Sequence, residues 1–308
     1  MSTQGDLVQI VIPCFNGEEF LRETLFSIQN QTYANFDCLM IDDGSEDDSL
    51  KIFGDFSQSD PRFRAMQNSE NRGESYSVNR GWANKRGNLV SILSCDDPQP
   101  DDWLEEMYLF YKSHAKNNFV VYYPNRVVIN QSGDFVRREM LLEWSESSLI
   151  DDLLCVASVG ALIDTSLLPN DFEPRIEEVR FPSDLIQYLK IVEFGSGIRH
   201  PNFFCVWREH LGGKSADDRT RLAQEFVLGM SIYIKSKTFG SNKIGETSVF
   251  AHTVGILRKE FRLPGAIGIG MKIYLTQFSI KSLNLFSLLK IVARYLRRSK
   301  NKEKSFNP

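Results

Sequence analysis

Hydrophobic and polar positions follow two rhythms along the first hundred residues. Residues 7–13, LVQIVIP, form an almost continuous apolar run ending at a proline. Such a run reads as a strand buried on both faces of a parallel sheet. Residues 18–30 then place Phe20, Leu21, Leu25 and Ile28 on one helical stripe. A second strand is predicted over residues 36–41, FDCLMI, and it stops at Asp42-Asp43-Gly44-Ser45. Ser45 reads as the N-cap of a helix running to Phe56. A short third strand over residues 61–66 follows a proline turn. In residues 75–97, Asn79, Trp82 and Ala83 share a helix face, Gly87 marks a helix stop, and LVSIL at 89–93 reads as a buried strand. Asp96 and Asp97 follow it directly. The β-α-β-α rhythm with short connections predicts a parallel sheet with right-handed crossovers.

Beyond Asp97 the pattern loosens. A helix is expected over residues 103–116, strands over 120–123 and 127–129, a turn at 131–134 and a small apolar segment at 158–163. Residues 183–194 fit an amphipathic helix with Leu185, Leu189 and Val192 inward, and residues 199–207 a late strand. After Gly212-Gly213 the chain reads as mainly helical. Residues 282–298 set Leu285, Leu288, Leu289, Val292 and Leu296 near one face, flanked by Lys290, Arg294, Arg297 and Arg298.

Composition adds a charge asymmetry. The 308-residue chain has a formal net charge of -4, too mild for a general nucleic-acid binder. Residues 258–308 nevertheless hold 12 Lys/Arg against 2 Asp/Glu, so the body is acidic and the end basic. A basic amphipathic helix suits an anionic membrane surface; packed on the body with its charges in water, it would serve equally well. The five scattered cysteines show no CxxC or zinc spacing and fit reduced thiols in the cytosol. No apolar run is long enough to span a bilayer, and the opening residues do not read as a signal peptide.

Three polar turns fall at strand ends: residues 13–17, 42–45 and 94–97. In a parallel sheet these ends converge, which is where open α/β sheets bind ligands. Ionised Asp42 or Asp43 can accept a base N–H, and Gly44 lets the backbone approach closely. Adjacent Asp96 and Asp97 repel unless a cation or hydrogen-bond donors compensate. Neither GxGxxG nor GxxxxGK[ST] occurs, which removes the main support for dinucleotide oxidoreduction and P-loop chemistry.

The segments VIPCFNGEEFLRETLFSIQNQTY, FDCLMIDDGSEDDS and NSENRGESYSVNRGWANKRGNLVSILSCDD, in that order and spacing, resemble the N-terminal half of glycosyltransferase family 2. The resemblance implies a GT-A fold, a Rossmann-like α/β domain with a mostly parallel sheet flanked by helices, here over residues 1–215 (donor half 1–97, acceptor half 98–215); the helical, basic extension expected at 216–308 is not covered by it. It implies inverting transfer from a nucleotide sugar, with Mn²⁺ or Mg²⁺, to a glycan or lipid-linked acceptor. A UDP-sugar is the expected donor. Surface polysaccharide assembly is the expected setting, in the cytoplasm at the inner face of the plasma membrane.

Carried over by position, Pro13, Asn16 and Gly17 shape the nucleotide loop, and Asp43 with Asp42 meets the base. Asn71, Gly73, Ser75 and Asn79 lead into the donor site. The Asp-x-Asp motif falls on Ser94-Cys95-Asp96, with Asp96 as metal ligand. Ser183-Asp184 resembles the Glu-Asp segment at a helix start and makes Asp184 the base; capping that helix is its plainer role. Arg208 and His210 resemble the segment that closes over the diphosphate and metal. Two departures stand out, Ser94 in place of the first Asp and Val78 in place of an Arg. They keep open a catalytically lapsed nucleotide-sugar-binding or scaffold protein. A nucleotidyltransferase is a further alternative, weakened by the missing Gly- and Lys/Arg-rich loop after the first strand.

Overall fold

The computed structural model describes residues 5–144, 159–180 and 183–210, together with Ile232 alone. The chain divides into two compact units, Met1–Ala216 and Asp217–Pro308. Apart from Ile232, the described residues lie in the first unit. The C-terminal extension expected at 216–308, and the helix expected at 282–298, lie outside them.

Eight strands form one sheet: β1 Val8–Cys14, β2 Phe36–Asp42, β3 Phe63–Gln67, β4 Leu89–Ile92, β5 Phe119–Ile129, β6 Phe135–Glu139, β7 Leu162–Asp164 and β8 Ser196–Arg208. Among the described residues five α-helices accompany them: α1 Glu18–Gln29, α2 Ser49–Ser59, α3 Glu74–Ala83, α4 Trp103–His114 and α5 Ser183–Ile191. The order across the sheet is β3-β2-β1-β4-β7-β5-β6, with β8 alongside β5. β1 pairs in parallel with both β2 and β4, and β2 with β3. β7 is antiparallel to β4 and β5, and β8 runs parallel to β5. These senses carry the ends of β1, β2, β4 and β8 to one edge.

The helices cover both faces. Val8, Ile10 and Ile12 of β1 pack with Leu21, Leu25 and Ile28 of α1, and the same core continues to Phe53 of α2 and Trp103 of α4. On the opposite face α3 comes so close that a Cβ on Gly81 would lie 2.4 Å from Val11 Cγ1. Buried Trp103 is satisfied by donating its indole N–H to the Gly160 carbonyl at 3.0 Å.

Several expected boundaries shift for physical reasons. β5 is one eleven-residue strand rather than two, because its polar interior is satisfied inside the sheet. Asn125 donates to the His200 and Pro201 carbonyls and accepts from the Leu141 N–H, while Arg126 pairs with Glu139. β6, FVRRE, is an exposed edge without the apolar alternation that predicts a strand. α3 ends at Ala83, so Gly87 is not its stop. A Cβ there would lie 2.1 Å from the Leu7 carbonyl oxygen, so close backbone approach explains the glycine.

Gly81→Ala gains about 1 kcal/mol of helix propensity but meets a methyl of buried Val11, with an overpacking cost of about 1–3 kcal/mol. Gly87→Ala meets a backbone carbonyl that cannot move without the strand. Thermal unfolding should therefore show a small loss for Gly81→Ala and a clearly larger one for Gly87→Ala. An unchanged melting temperature for Gly87→Ala would contradict the close approach.

Candidate active site

The first two turns are laced together by their own polar groups. Asn16 sits at φ 50°, in the left-handed region. Its N–H donates to Ser45 Oγ at 3.0 Å, and its Oδ1 accepts the Glu46 N–H at 2.9 Å. Gly17 N–H donates to Ser49 Oγ at 2.9 Å and Glu18 N–H to Asp47 at 3.0 Å. The Asp48 N–H returns a bond to Glu18 at 2.9 Å. Ser45 is therefore not the N-cap of α2, which begins only at Ser49; its hydroxyl serves the neighbouring loop. Pro13 is half-buried at the end of β1, beside exposed Phe15 and Asn16.

Asp42 and Asp43 are both buried. Asp42 Oδ2 accepts the Ser45 N–H at 3.3 Å, and its Oδ1 finds no hydrogen-bond partner among the described residues. Asp43 gathers a third loop. One oxygen accepts from Asn68 Nδ2 at 2.7 Å and the Arg72 N–H at 3.0 Å; the other accepts the Gly73 N–H at 2.7 Å. Asn71 supports the same turn by accepting the Gly73 N–H at 3.1 Å. Gly44 has φ 75°, and a Cβ there would press within 2.8 Å of the Glu70 carbonyl carbon. The loop thus lies directly over Gly44, as its glycine requires.

Asp96 and His210 meet at the sheet edge, with His210 Nε2 2.7 Å from Asp96 Oδ2. Asp97 turns inward. Burial first, and then the Asp96 carboxylate, push its carboxyl well above the usual carboxylate range. Its Oδ1 accepts the Arg208 backbone N–H at 2.7 Å. The Arg208 side chain is likewise internal: Nε donates to the Asp96 carbonyl at 2.9 Å, Nη1 to the Gln131 carbonyl at 2.9 Å, and Nη2 pairs with Glu23 at 2.6 Å. Those bonds hold the sheet edge together. Ser94 is exposed beside this cluster. Cys14, Cys38, Cys95 and Cys205 are free thiols.

Asp96 is an oxygen ligand of the kind that suits Mg²⁺ or Mn²⁺, and a neutral imidazole is a common metal ligand. The described residues contain no group of three or more potential ligands. A hard divalent ion bound by one or two side chains completes its shell with water and substrate phosphate oxygens, so the pair fits such an ion.

Asn79 lies elsewhere. Its side chain clasps the backbone of Arg175, donating to the carbonyl at 3.2 Å and accepting the N–H at 3.0 Å. Ser75 Oγ donates to the Val179 carbonyl at 2.7 Å. These bonds fasten residues 175–179 to α3, and Arg175 Nη1 continues the chain to Ser183 Oγ at 2.8 Å. Asp184 stands in the first turn of α5, where its Oδ1 accepts the Leu185 N–H at 2.8 Å. Val78 is fully buried in α3. The sequence reading missed Asn68, Arg175 and Glu23. Only Glu23 left a trace, lying one turn beyond Phe20 on α1.

Residues 9–157 match the model described as "Glycosyl transferase family 2". Over 103 residues the chain is 37% identical to glycosyltransferase GlyA of Streptococcus pneumoniae serotype 4, a match covering 33% of this chain and 15% of that protein. An uncharacterized glycosyltransferase of Haemophilus influenzae is 22% identical, with 95% of this chain and 97% of that protein aligned. The putative teichuronic acid biosynthesis glycosyltransferase TuaG of Bacillus subtilis is 22% identical over 63% of this chain and 75% of its own. Among solved structures, residues 1–349 of S. aureus TarS in complex with UDP-GlcNAc give a TM-score of 0.64 at 18% identity, covering 88% of this chain and 77% of that one. The mannosyltransferase PcManGT of Pyrobaculum calidifontis, in complex with GDP-Man and Mn²⁺, gives 0.60 at 19% identity over 95% and 81%. The parallel core, the three turns at its edge and these matches agree: residues 9–157 belong to glycosyltransferase family 2, and the fold is GT-A.

Proposed function

We propose that the protein transfers a sugar, with inversion, from a nucleoside diphosphate sugar to a glycan or lipid-linked acceptor in surface polysaccharide assembly. The observation that carries this reading is the convergence at one sheet edge of the Asp43-bound loop and the Asp96–His210 pair. The complexes of TarS with UDP-GlcNAc and of PcManGT with GDP-Man support a nucleotide-sugar donor, and the name of TuaG supports the polysaccharide setting. A UDP-sugar is our proposed donor.

In this reading the laced turns around Asn16 and Asp43 seat the nucleotide. Asp96 and His210 would hold a divalent cation, Mn²⁺ or Mg²⁺, which supplies charge neutralisation for the departing diphosphate. Asp184 takes the proton of the acceptor hydroxyl as that oxygen bonds to the anomeric carbon and the bond to the diphosphate breaks.

Thermal shift against UDP, GDP, CMP and TDP sugars, with and without Mn²⁺, tests the donor half. Saturation at one hundred times Kd should add about 2.7 kcal/mol of stability, and no shift with any donor would sink the reading. Asp184→Asn should keep donor binding and lower turnover by roughly 10²- to 10⁴-fold. Loss of binding in that variant would overturn the assignment of the base.

The basic segment at 282–298 is proposed as the contact with an anionic membrane surface. Deleting residues 282–308 should release the protein from vesicles containing phosphatidylserine; unchanged co-sedimentation would remove this role.

A further inference from the structure

We propose that Glu23 and Phe20 of α1, acting through Arg208, are positioning residues that keep His210 in register with Asp96. The inference rests on the reading of Asp96 and His210 as the cation pair.

His210 lies two residues beyond the end of β8, so its place depends on how that strand end is anchored. Arg208 provides one anchor, next to the Glu209 N–H on the Ile129 carbonyl at 2.8 Å and the pairing of Glu209 with Arg137. The Arg208 side chain is 1% exposed, and the carboxylate paired with its guanidinium is Glu23. Its other N–H groups bind the carbonyls of Asp96 and Gln131, with Asn130 at 3.4 Å. One planar fork therefore ties α1, the turn bearing Asp96 and the turn after β5 to the end of β8. A lysine cannot reproduce that geometry.

Phe20 acts on the same assembly. Its ring centroid is 4.8 Å from the Arg208 guanidinium carbon and 4.8 Å from the His210 ring centroid. It thus forms a wall for the imidazole that faces Asp96. Glu19, on the same helix, accepts from Gln131 Nε2 at 2.7 Å and holds the turn whose carbonyl Arg208 binds.

Glu23 itself is 55% exposed, while α1 is held in the core by Leu21, Leu25 and Ile28. Removing the Glu23 charge therefore leaves the helix packed and the buried guanidinium without its carboxylate. The strand end then relaxes, and the first quantity to suffer is the alignment of His210 with Asp96.

Mn²⁺ binding to the full chain, measured by electron paramagnetic resonance with and without UDP, tests this without turnover. Glu23→Gln should weaken Mn²⁺ binding roughly tenfold, as loss of an outer partner of a metal ligand does. UDP binding in chelator should stay near wild type, and the melting temperature should fall only modestly, because Glu23 itself is half exposed. Glu23→Asp, which keeps the charge on a shorter arm, should fall between. Phe20→Leu should weaken Mn²⁺ in the same direction. Asp55→Asn, which breaks the exposed Arg22–Asp55 pair next to this face, should change nothing. His210→Ala separates the two readings. If it weakens Mn²⁺ while Glu23→Gln and Phe20→Leu do not, the positioning role is overturned and the cation pair stands. If His210→Ala leaves Mn²⁺ binding unchanged, or wild type binds none, the cation pair falls and takes this inference with it.

Discussion

Parallel pairing of β1 with β2 on one side and β4 on the other is the constraint on which the site depends. Register puts Cys14 opposite Asp42 and Val11 opposite Ile92, so three polar turns emerge at one height. The register is held by burial on both faces, since Val8, Ile10, Ile12 and Val11 have no solvent-facing alternative. Because β8 runs parallel to β5, its end also reaches that edge and presents His210 to Asp96.

The polar residues at this edge divide their work. Asp43 accepts three hydrogen bonds from Asn68 and the loop at 72–73, and Asn16 exchanges bonds with Ser45 and Glu46. These interactions preorganise the loops at the sheet edge, so little ordering remains for a ligand to impose. What is left exposed or partly exposed at the strand ends is Ser94, Asp96, Phe15 and Asn16. Asp42 Oδ1, buried and unpartnered among the described residues, is the one acceptor in the two aspartates still without a donor.

Buried charge is handled by pairing inward. Arg208 takes its charge partner from α1, while the raised affinity of Asp97 for a proton reflects burial beside another carboxylate. Arg175 has its carboxylate neighbour, Glu74 of α3, at 3.9 Å. Its backbone is clasped by Asn79 of α3 and its nearly buried side chain reaches Ser183 at the start of α5, so the two helices are linked through this one residue.

The first hundred residues were legible because their information is local. Unbroken apolar runs, a helical stripe and turn residues at strand ends need no tertiary knowledge. β1 to β4 and α1 to α4 accordingly fall close to their expected places. β6 was invisible because an exposed, arginine-rich edge has no apolar alternation, and β5 looked divided because its polar middle is satisfied only by β8 and the chain at 139–141. The residue types at the site also came from the sequence, as did the pairing of acidic turns with strand ends. Only the tertiary structure decided what each side chain touches. It gave Asn79 to Arg175, Arg208 to Glu23 and Ser45 to Asn16, across separations of 29 to 185 residues. Such hydrogen bonds depend on distance and angle between segments brought together by the sheet, and no local pattern encodes them.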